Sequence, residues 1–497
     1  MKRTTIHQRF NVWMSSALIP FLFVLQACNV GPKYKMPAVP TPPEYKELDV
    51  QTSSDGTAWQ KASPSDAAPK GVWWEIYQDP ELNALELRVN QSNQSVAQAF
   101  HNFEAARALV RQARSQYFPQ ITAGPSYTRS RTSANEPASQ LSSNMNANQF
   151  SLPFDVSWQP DLWGQIRNQV RENANNAQVS AAQLASQKLS AQANLAIDYF
   201  ELRGEDALIE LYAQTIETYK KSLALNEALK ATGVQSQQAV AQAQLNLKSA
   251  EASATNLKVA RAQYEHAIAL LVGEPASTFS IPVKKFNSEP PVVPVGLPSE
   301  LLERRPDIAS AERTVAAANA LIGVGKAAFY PALTISGSGG FESSTVGSWL
   351  TWPSRFFSIG PSATQTLFDA GSRRSTLENY KAQYEADVAA YRNTVLTAFQ
   401  QTEDALASQK YLAEQHQQQN EATAAAKQYR DLAQGLFQNG IDSYLDVATA
   451  QASFLQQQQA DITIRTQQMT SSVQLIEAIG GGWNRAELPS EKEVAKR

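Results

Sequence analysis

The sequence predicts an α plus membrane-β fold in which very long helices continue from short strands and the whole plan is laid down twice. Glycines at 164, 233 and 273 recur at 371, 440 and 480, each displaced by 207 residues, and glycine is rare inside the segments between them. The 69 residues separating Gly164 from Gly233, and again Gly371 from Gly440, would run roughly 100 Å as one helix, far beyond the usual globular length. Between the helical stretches, Phe150 to Gln159 alternates: Phe150, Leu152, Phe154, Val156 and Trp158 on one face, Ser151, Pro153, Asp155, Ser157 and Gln159 on the other. Its length suits a tilted membrane strand of about 9–11 residues.

Residues 1–27 read as a lipoprotein signal peptide. Lys2, Arg3 and Arg9 form a cationic head, and Val12 to Leu25 is apolar but too short to span a bilayer. The segment ends Leu25-Gln26-Ala27-Cys28, where small Ala27 suits a peptidase and Cys28, the sole cysteine, offers a thiol for a covalent lipid. Asn29 follows in place of the aspartate that often retains bacterial lipoproteins in the inner membrane, which favours the outer membrane. Residues 28–70 are proline-rich, hold no helix, and read as an extended strap running from the lipid to the body.

The first repeat occupies 71–285 and the second 297–483, with a linker at 286–296 and a charged tail at 484–497. Each repeat opens with a helix, Leu82 to Gln116 and Ser299 to Phe329, followed by a strand pair. The long helix comes next, and a return helix completes the unit, Ser236 to Leu271 and Ser443 to Ile479. The helix faces carry Ala, Gln and Leu, which suits close packing. A plain coiled coil would explain the helices but not the strands. In the second repeat Leu333, Ile335 and Phe341, then Phe357, Ile359 and Leu367, mark weaker alternation, and Trp158, Trp163, Trp349 and Trp352 are placed to mark membrane interfaces. Four strands cannot close alone: an open edge in lipid leaves backbone groups unpaired, and the smallest known barrels have about eight strands. Two chains would supply 8 strands, three would supply 12.

Composition narrows the chemistry. Net charge is −3 with no basic excess, which excludes a nucleic-acid surface. One cysteine and four scattered histidines (His7, His101, His266, His416) form no metal-ligand or catalytic constellation, so neither an enzyme nor a metal cofactor is expected. Gly480-Gly481-Gly482 reads as a helix cap and turn. Arg304-Arg305-Pro306-Asp307 reads as a salt cluster at a helix start.

Several motifs point to a family. Cys28-Asn29-Val30-Gly31-Pro32-Lys33-Tyr34, Trp73-Trp74 with Asp79-Pro80, Arg114 to Pro119, Trp158 to Gly164, Leu297 to Ile308, Phe368-Asp369-Ala370-Gly371, Ser443 to Val447 and Gly480 to Trp483 together resemble the outer membrane factor (TolC-like) family, in its lipoprotein efflux branch. The resemblance implies a homotrimer whose 12 pooled strands form one barrel. It implies a long periplasmic helical tunnel with an equatorial region, closed at its far tip until opened. It implies as partners a periplasmic adaptor and an inner-membrane transporter, most often proton-driven, exporting drugs or other small toxic compounds. The same duct can serve type I protein secretion, which the branch motifs disfavour. The helix reversals Gly233-Val234 and Gly440-Ile441 would form the adaptor-contacting tips. Beside the second, Leu445 matches a leucine lining the aperture in relatives. Asp442 and Asp446, spaced i, i+4, would form acidic rings in a trimer, Asp442 also serving the helix start. Some relatives place the aperture acid one turn later, where this chain has Thr449.

Overall fold

The computed structural model describes residues 29–47, 72–133, 146–286, 289–293, 295 and 298–496; the signal segment, Cys28 and residues 48–70 of the strap lie outside the described residues. The helices are α1 (Pro80–Ser92), α2 (Gln94–Ser115), α3 (Gln165–Ala231), α4 (Gln237–Leu271), α5 (Leu301–Arg304), α6 (Pro306–Ala327), α7 (Ser372–Gln438), α8 (Tyr444–Ala478) and α9 (Glu491–Val494). The strands are β1 (Gln120–Ala123), β2 (Ser126–Arg131), β3 (Asn146–Trp158), β4 (Ala332–Ser343) and β5 (Arg355–Thr364). Helices α3 and α7 are each 67 residues long, so each runs about 100 Å. None of the described helices is long and apolar enough to cross a membrane.

The opening helix of each repeat is broken where one was expected. Asn93 stops α1 in an extended conformation and starts α2: its side chain accepts the Val96 N–H at 3.0 Å and donates to the Leu271 carbonyl at 2.8 Å. In the second repeat Pro306 restricts Arg305 to an extended conformation, so α5 ends after one turn and α6 begins at the proline. The salt cluster reading holds there, with Arg305 Nη2 2.7 Å from Asp307 Oδ2. Gly480 sits at φ +97°, and a Cβ on it would lie 2.0 Å from the Arg304 carbonyl oxygen, so the end of α8 presses against α5 at a point only glycine fits.

Helix α3 is the spine. It packs along α4 within its own repeat and against α6 and α8 of the other, while α7 packs against α8 and α6. The main core surrounds the middle of these helices, where Trp73 and Trp74 meet edge-on and Tyr77, Tyr199, Phe200, Tyr391 and Met469 are buried. A buried ionic network ties the same level together. Arg203 meets Asp206 at 2.8 Å and Glu81 at 2.7 Å, and Arg261 meets Asp206 at 2.6 Å. The two guanidinium groups also donate to the Pro282 and Ile281 carbonyls, fastening the segment that leaves the first repeat.

The chain ends cross between repeats. Residues 29–47 run without helix or strand from the start of α3, where Asn168 donates to Asn29 Oδ1 at 2.8 Å, to α7, where the Lys46 and Glu47 amides donate to Glu403. Midway, the Tyr34 hydroxyl donates to Glu312, a buried carboxylate also held by Arg313 and Arg485. The tail is docked as well: Val494 is buried with Ala106, Val110, Ala174 and Ala177, and Arg107 donates to the Lys496 carbonyl. Replacing Arg203 with alanine leaves buried Asp206 with Arg261 as its remaining ion-pair partner and takes Arg203 away from the partly exposed Glu81. Breaking a fully buried pair costs about 3–5 kcal/mol; because Arg261 still holds Asp206, chemical denaturation of Arg203→Ala should show a loss at or below the low end of that range, whereas an unchanged midpoint would mean the network is not stabilising.

Candidate functional site

The five strands form one antiparallel sheet in the order β1–β3–β4–β5, with β2 also on β3. β1 and β2 share a single register on β3, Ile121 opposite Val156 and Tyr127 opposite Phe150, so they are one lane interrupted at Gly124-Pro125. Proline there is compatible with an edge position, since it cannot donate to a ladder. The sheet therefore has four lanes, two from each repeat, as the sequence suggests, with β3 beginning four residues earlier than the alternation shows. Leu367 lies beyond β5, which ends at Thr364.

Register sorts the side chains, because directly opposed residues in an antiparallel pair share a face. Phe150, Leu152, Phe154, Val156 and Trp158 lie on one face. Ile335, Gly337, Gly339 and Phe341 of β4 oppose Trp158, Val156, Phe154 and Leu152, and Pro361, Ile359 and Phe357 of β5 oppose the first three of those. Ile121, Ala123 and Tyr127 complete this face on the other side. The reverse face carries Thr122, Thr128, Gln149, Ser151, Asp155, Ser157, Ser336, Ser338, Glu342, Ser358 and Ser362, with Gln149 donating to Glu342 at 2.7 Å. Phe357 and Ile359 are 85% and 79% exposed, so the apolar face is uncovered in one chain. Both outer lanes, β1/β2 and β5, have no strand partner on their far side among the described residues.

Aromatic rings gather at both ends of the sheet. Away from the helices, Phe150 lies 4.7 Å from Tyr127 and 5.8 Å from Trp349, ring to ring. At the helix end, Trp163 stacks on Tyr330 at 4.8 Å, and Trp158 Nε1 donates to the Tyr117 carbonyl at 3.0 Å. The strap begins here: the Val30 N–H donates to the Trp163 carbonyl, which brings the residue after Cys28 to this rim. Two carboxylates inside the motifs that mark the family resemblance, given no role on sequence grounds, make the turn from strand into long helix. Asp161 accepts the Ile166 and Arg167 amides and pairs with the Arg167 side chain at 3.0 Å; Asp369 likewise accepts the Gly371 and Arg373 amides and pairs with Arg373 at 2.5 Å. Their shared signal was an aspartate close ahead of each repeated glycine, three residues before Gly164 and two before Gly371.

At the opposite end the two helix reversals have the same build. Gly233 (φ +78°) and Gly440 (φ +70°) are left-handed, and their N–H groups donate to Lys230 and Phe437 carbonyls while Val234 and Ile441 donate to Leu229 and Leu436. Val234 and Ile441 are left 71% and 73% exposed. The tips lie side by side: Tyr444, Val447 and Ala448 of α8 pack with Ala239 and Ala243 of α4. Leu445 and Thr449 point away from that packing, Leu445 being 58% exposed.

The start of α8 differs from expectation in one respect. Ser443, not Asp442, caps the helix, its hydroxyl accepting the Asp446 N–H and donating to Asp446 Oδ2 at 2.5 Å. Asp442 precedes the helix, so it neighbours Asp446 through the turn rather than along a helix face. The Ser443 hydroxyl, and next the Asp442 side chain, hold the Asp446 carboxyl below its ordinary value. The sign follows: this carboxylate's contribution to the first turn is present above its unfolded value of about 4 and is lost as pH falls through its lower folded value. In the first repeat Ser236 caps α4 in the same way, but Ala239 stands where Asp446 stands, so the acid belongs to one tip only.

Known proteins share this architecture. The family model for outer membrane efflux protein matches residues 87–274 and 297–481, one stretch in each repeat. The toluene efflux pump outer membrane protein TtgC of Pseudomonas putida is 32% identical over 466 residues, covering 93% of this chain and 94% of the relative. Outer membrane protein OprJ of Pseudomonas aeruginosa is 29% identical over 472 residues, covering 94% and 96%. Among solved structures, the outer-membrane channel OprN superposes with a TM-score of 0.83 at 27% identity, covering 92% of this chain and 100% of that one. The Campylobacter jejuni CmeC outer membrane channel, at 24% identity and a TM-score of 0.83, shares the fold. With both repeats inside the matched stretches, the chain belongs to the outer membrane efflux protein family.

Proposed function

We propose that this outer membrane efflux protein works as a homotrimeric exit duct, its sheet lanes pooled into one 12-stranded barrel and its helices forming a periplasmic tunnel. The observation that carries this is the sheet: one apolar face, one polar face and two unpaired edges. In hydrocarbon those edges must be paired, and three four-lane sheets side by side pair them all. The apolar face meets lipid and the polar face lines the pore. Aromatic rings at both ends of the sheet sit where interfacial girdles belong. Cys28 carries a covalent lipid, supported by the strap that fixes Asn29 and Val30 beside Trp163, at the level where an acyl chain enters the inner leaflet.

The remaining parts follow from the tips. Exposed Val234 and Ile441, on adjacent reversals about 100 Å along α3 and α7 from the sheet, suit a periplasmic adaptor that bridges to a proton-driven inner-membrane transporter. Relatives are named for toluene, solvent and antibiotic efflux, and the cargo here is of that kind, small and toxic. The gate lies beside Gly440. Threefold symmetry turns Leu445 into an apolar constriction and Asp446, with Asp442 beside it, into an acidic ring that favours cations.

Two measurements test the reading. Arginine at Phe154 places a charge on the lipid face and should hinder barrel assembly, costing about 2–4 kcal/mol if near the midplane, while Arg at Ser157 on the polar face should be tolerated; the opposite ranking in membrane-insertion yield would show the faces reversed. In planar bilayers Asp446→Ala should raise single-channel conductance and lower cation preference more than Asp442→Ala does. Unchanged conductance and selectivity in an intact Asp446→Ala assembly would move the gate elsewhere, with Thr449 the next position to replace.

A further inference from the structure

The charges on the sheet are segregated by face and by end. On the described strands the cations are Arg129, Arg131 and Arg355, and the acids are Asp155 and Glu342. Arg129 and Arg131 oppose Asn148 and Asn146, in phase with Tyr127 opposite Phe150, and Arg355 opposes Phe341. All three arginines therefore lie on the apolar face, whereas both acids lie on the polar face. All three also lie at the end of the sheet remote from the helices, where β2 finishes and β5 starts. The helix end of the same face holds Ile121, Trp158, Leu333 and Ala363 and no charge.

A cation at the edge of a lipid-facing band normally reaches for water, and one such residue would need no further account. Three of them, confined to one end, need a reason that distinguishes the two leaflets. They are exposed, and among the described residues none has an ion-pair partner. The Arg355 guanidinium lies 3.9 Å from the centre of the Trp352 ring, itself 73% exposed, so it is held at the rim beside an aromatic surface. Planar guanidinium forks match phosphate oxygens in pairs. The outer leaflet of a Gram-negative outer membrane is built of glycolipid bearing phosphates on its sugar headgroup.

We infer that this rim binds the phosphate groups of outer-leaflet glycolipid, with Arg129, Arg131 and Arg355 as the contacting residues. The inference rests on the assignment of the apolar face to lipid. It gives the barrel a polarity: acyl chains cover Phe154, Phe357 and Ile359, and the arginines neutralise the headgroups directly beyond them.

The test uses the full chain, purified in detergent and stripped of bound lipid, titrated with diphosphoryl lipid A, with its dephosphorylated form and with phosphatidylglycerol. The wild type should prefer diphosphoryl lipid A to the other two. The combined variant Arg129→Gln, Arg131→Gln, Arg355→Gln should bind it at least about tenfold more weakly, and the matching Arg→Lys set should recover part of the loss. Equal binding by wild type and the Gln variant overturns the inference, as does equal affinity for the dephosphorylated lipid; equal affinity for phosphatidylglycerol overturns the choice of glycolipid. A tryptophan at Phe154, read for quenching by brominated phospholipid in the same preparations, keeps the two readings apart. Quenching with undiminished lipid A binding by the Gln variant removes this inference alone. Loss of quenching removes the face assignment and this inference with it.

Discussion

Every backbone N–H and C=O that enters hydrocarbon must be paired within protein, and this constraint organises the molecule. Helices meet it internally, but the described helices are too polar to cross a bilayer. The sheet meets it only in its interior, where β3 and β4 are paired on both sides. Its outer lanes, β1/β2 and β5, expose unpaired groups that each cost several kcal/mol in lipid. A sheet with these edges needs further partners against both of them in hydrocarbon, which the proposed trimer supplies. The alternation of apolar and polar faces, the glycines of β4 beneath Phe357 and Ile359, and the break at Gly124-Pro125 on an edge lane are all details of a wall made to be joined.

The helical part solves a different problem, which is reach. Two 67-residue helices carry the chain away from the sheet and two shorter pairs fill in beside them, so the second repeat can reuse the plan of the first. The repeats are not equivalent in packing. Helix α3 is flanked by α4, α6 and α8, while α7 keeps fewer neighbours within the chain and leaves Leu396, Tyr411 and Leu432 exposed. The Arg203–Asp206–Arg261 network holds distant segments of the first repeat to one another, the strap reaches the second repeat through Tyr34 and Glu312, and the tail docks back on α2 and α3 of the first.

The long helices were legible because their ends are local. Gly233, Ser236, Gly440 and Ser443 satisfy helix termini from a few residues away, and the observed bounds fall within two residues of those signals. The face of β3 was legible for the same reason, since alternation is a property of adjacent residues. The break at Asn93 was not, because the amide that ends α1 is held by Leu271, 178 residues away. Residues Asn146 to Gln149 and the lane of β1 and β2 carry no clean alternation, being polar ends and an edge, so only pairing to β3 reveals them. At the tip, the pair Asp442 and Asp446 was visible as two acids four apart. That Ser443 takes the cap and Asp446 closes back on it depends on where the helix starts, a matter of one or two residues that spacing alone does not resolve.

The most direct measurement is the native mass of the full-length protein extracted from bacterial outer membranes in mild detergent. The proposed duct predicts an assembly of three chains, each heavier than the processed polypeptide by a lipid increment that disappears in Cys28→Ser. A stable single chain that conducts ions in a bilayer, or an assembly of another number, would contradict the account.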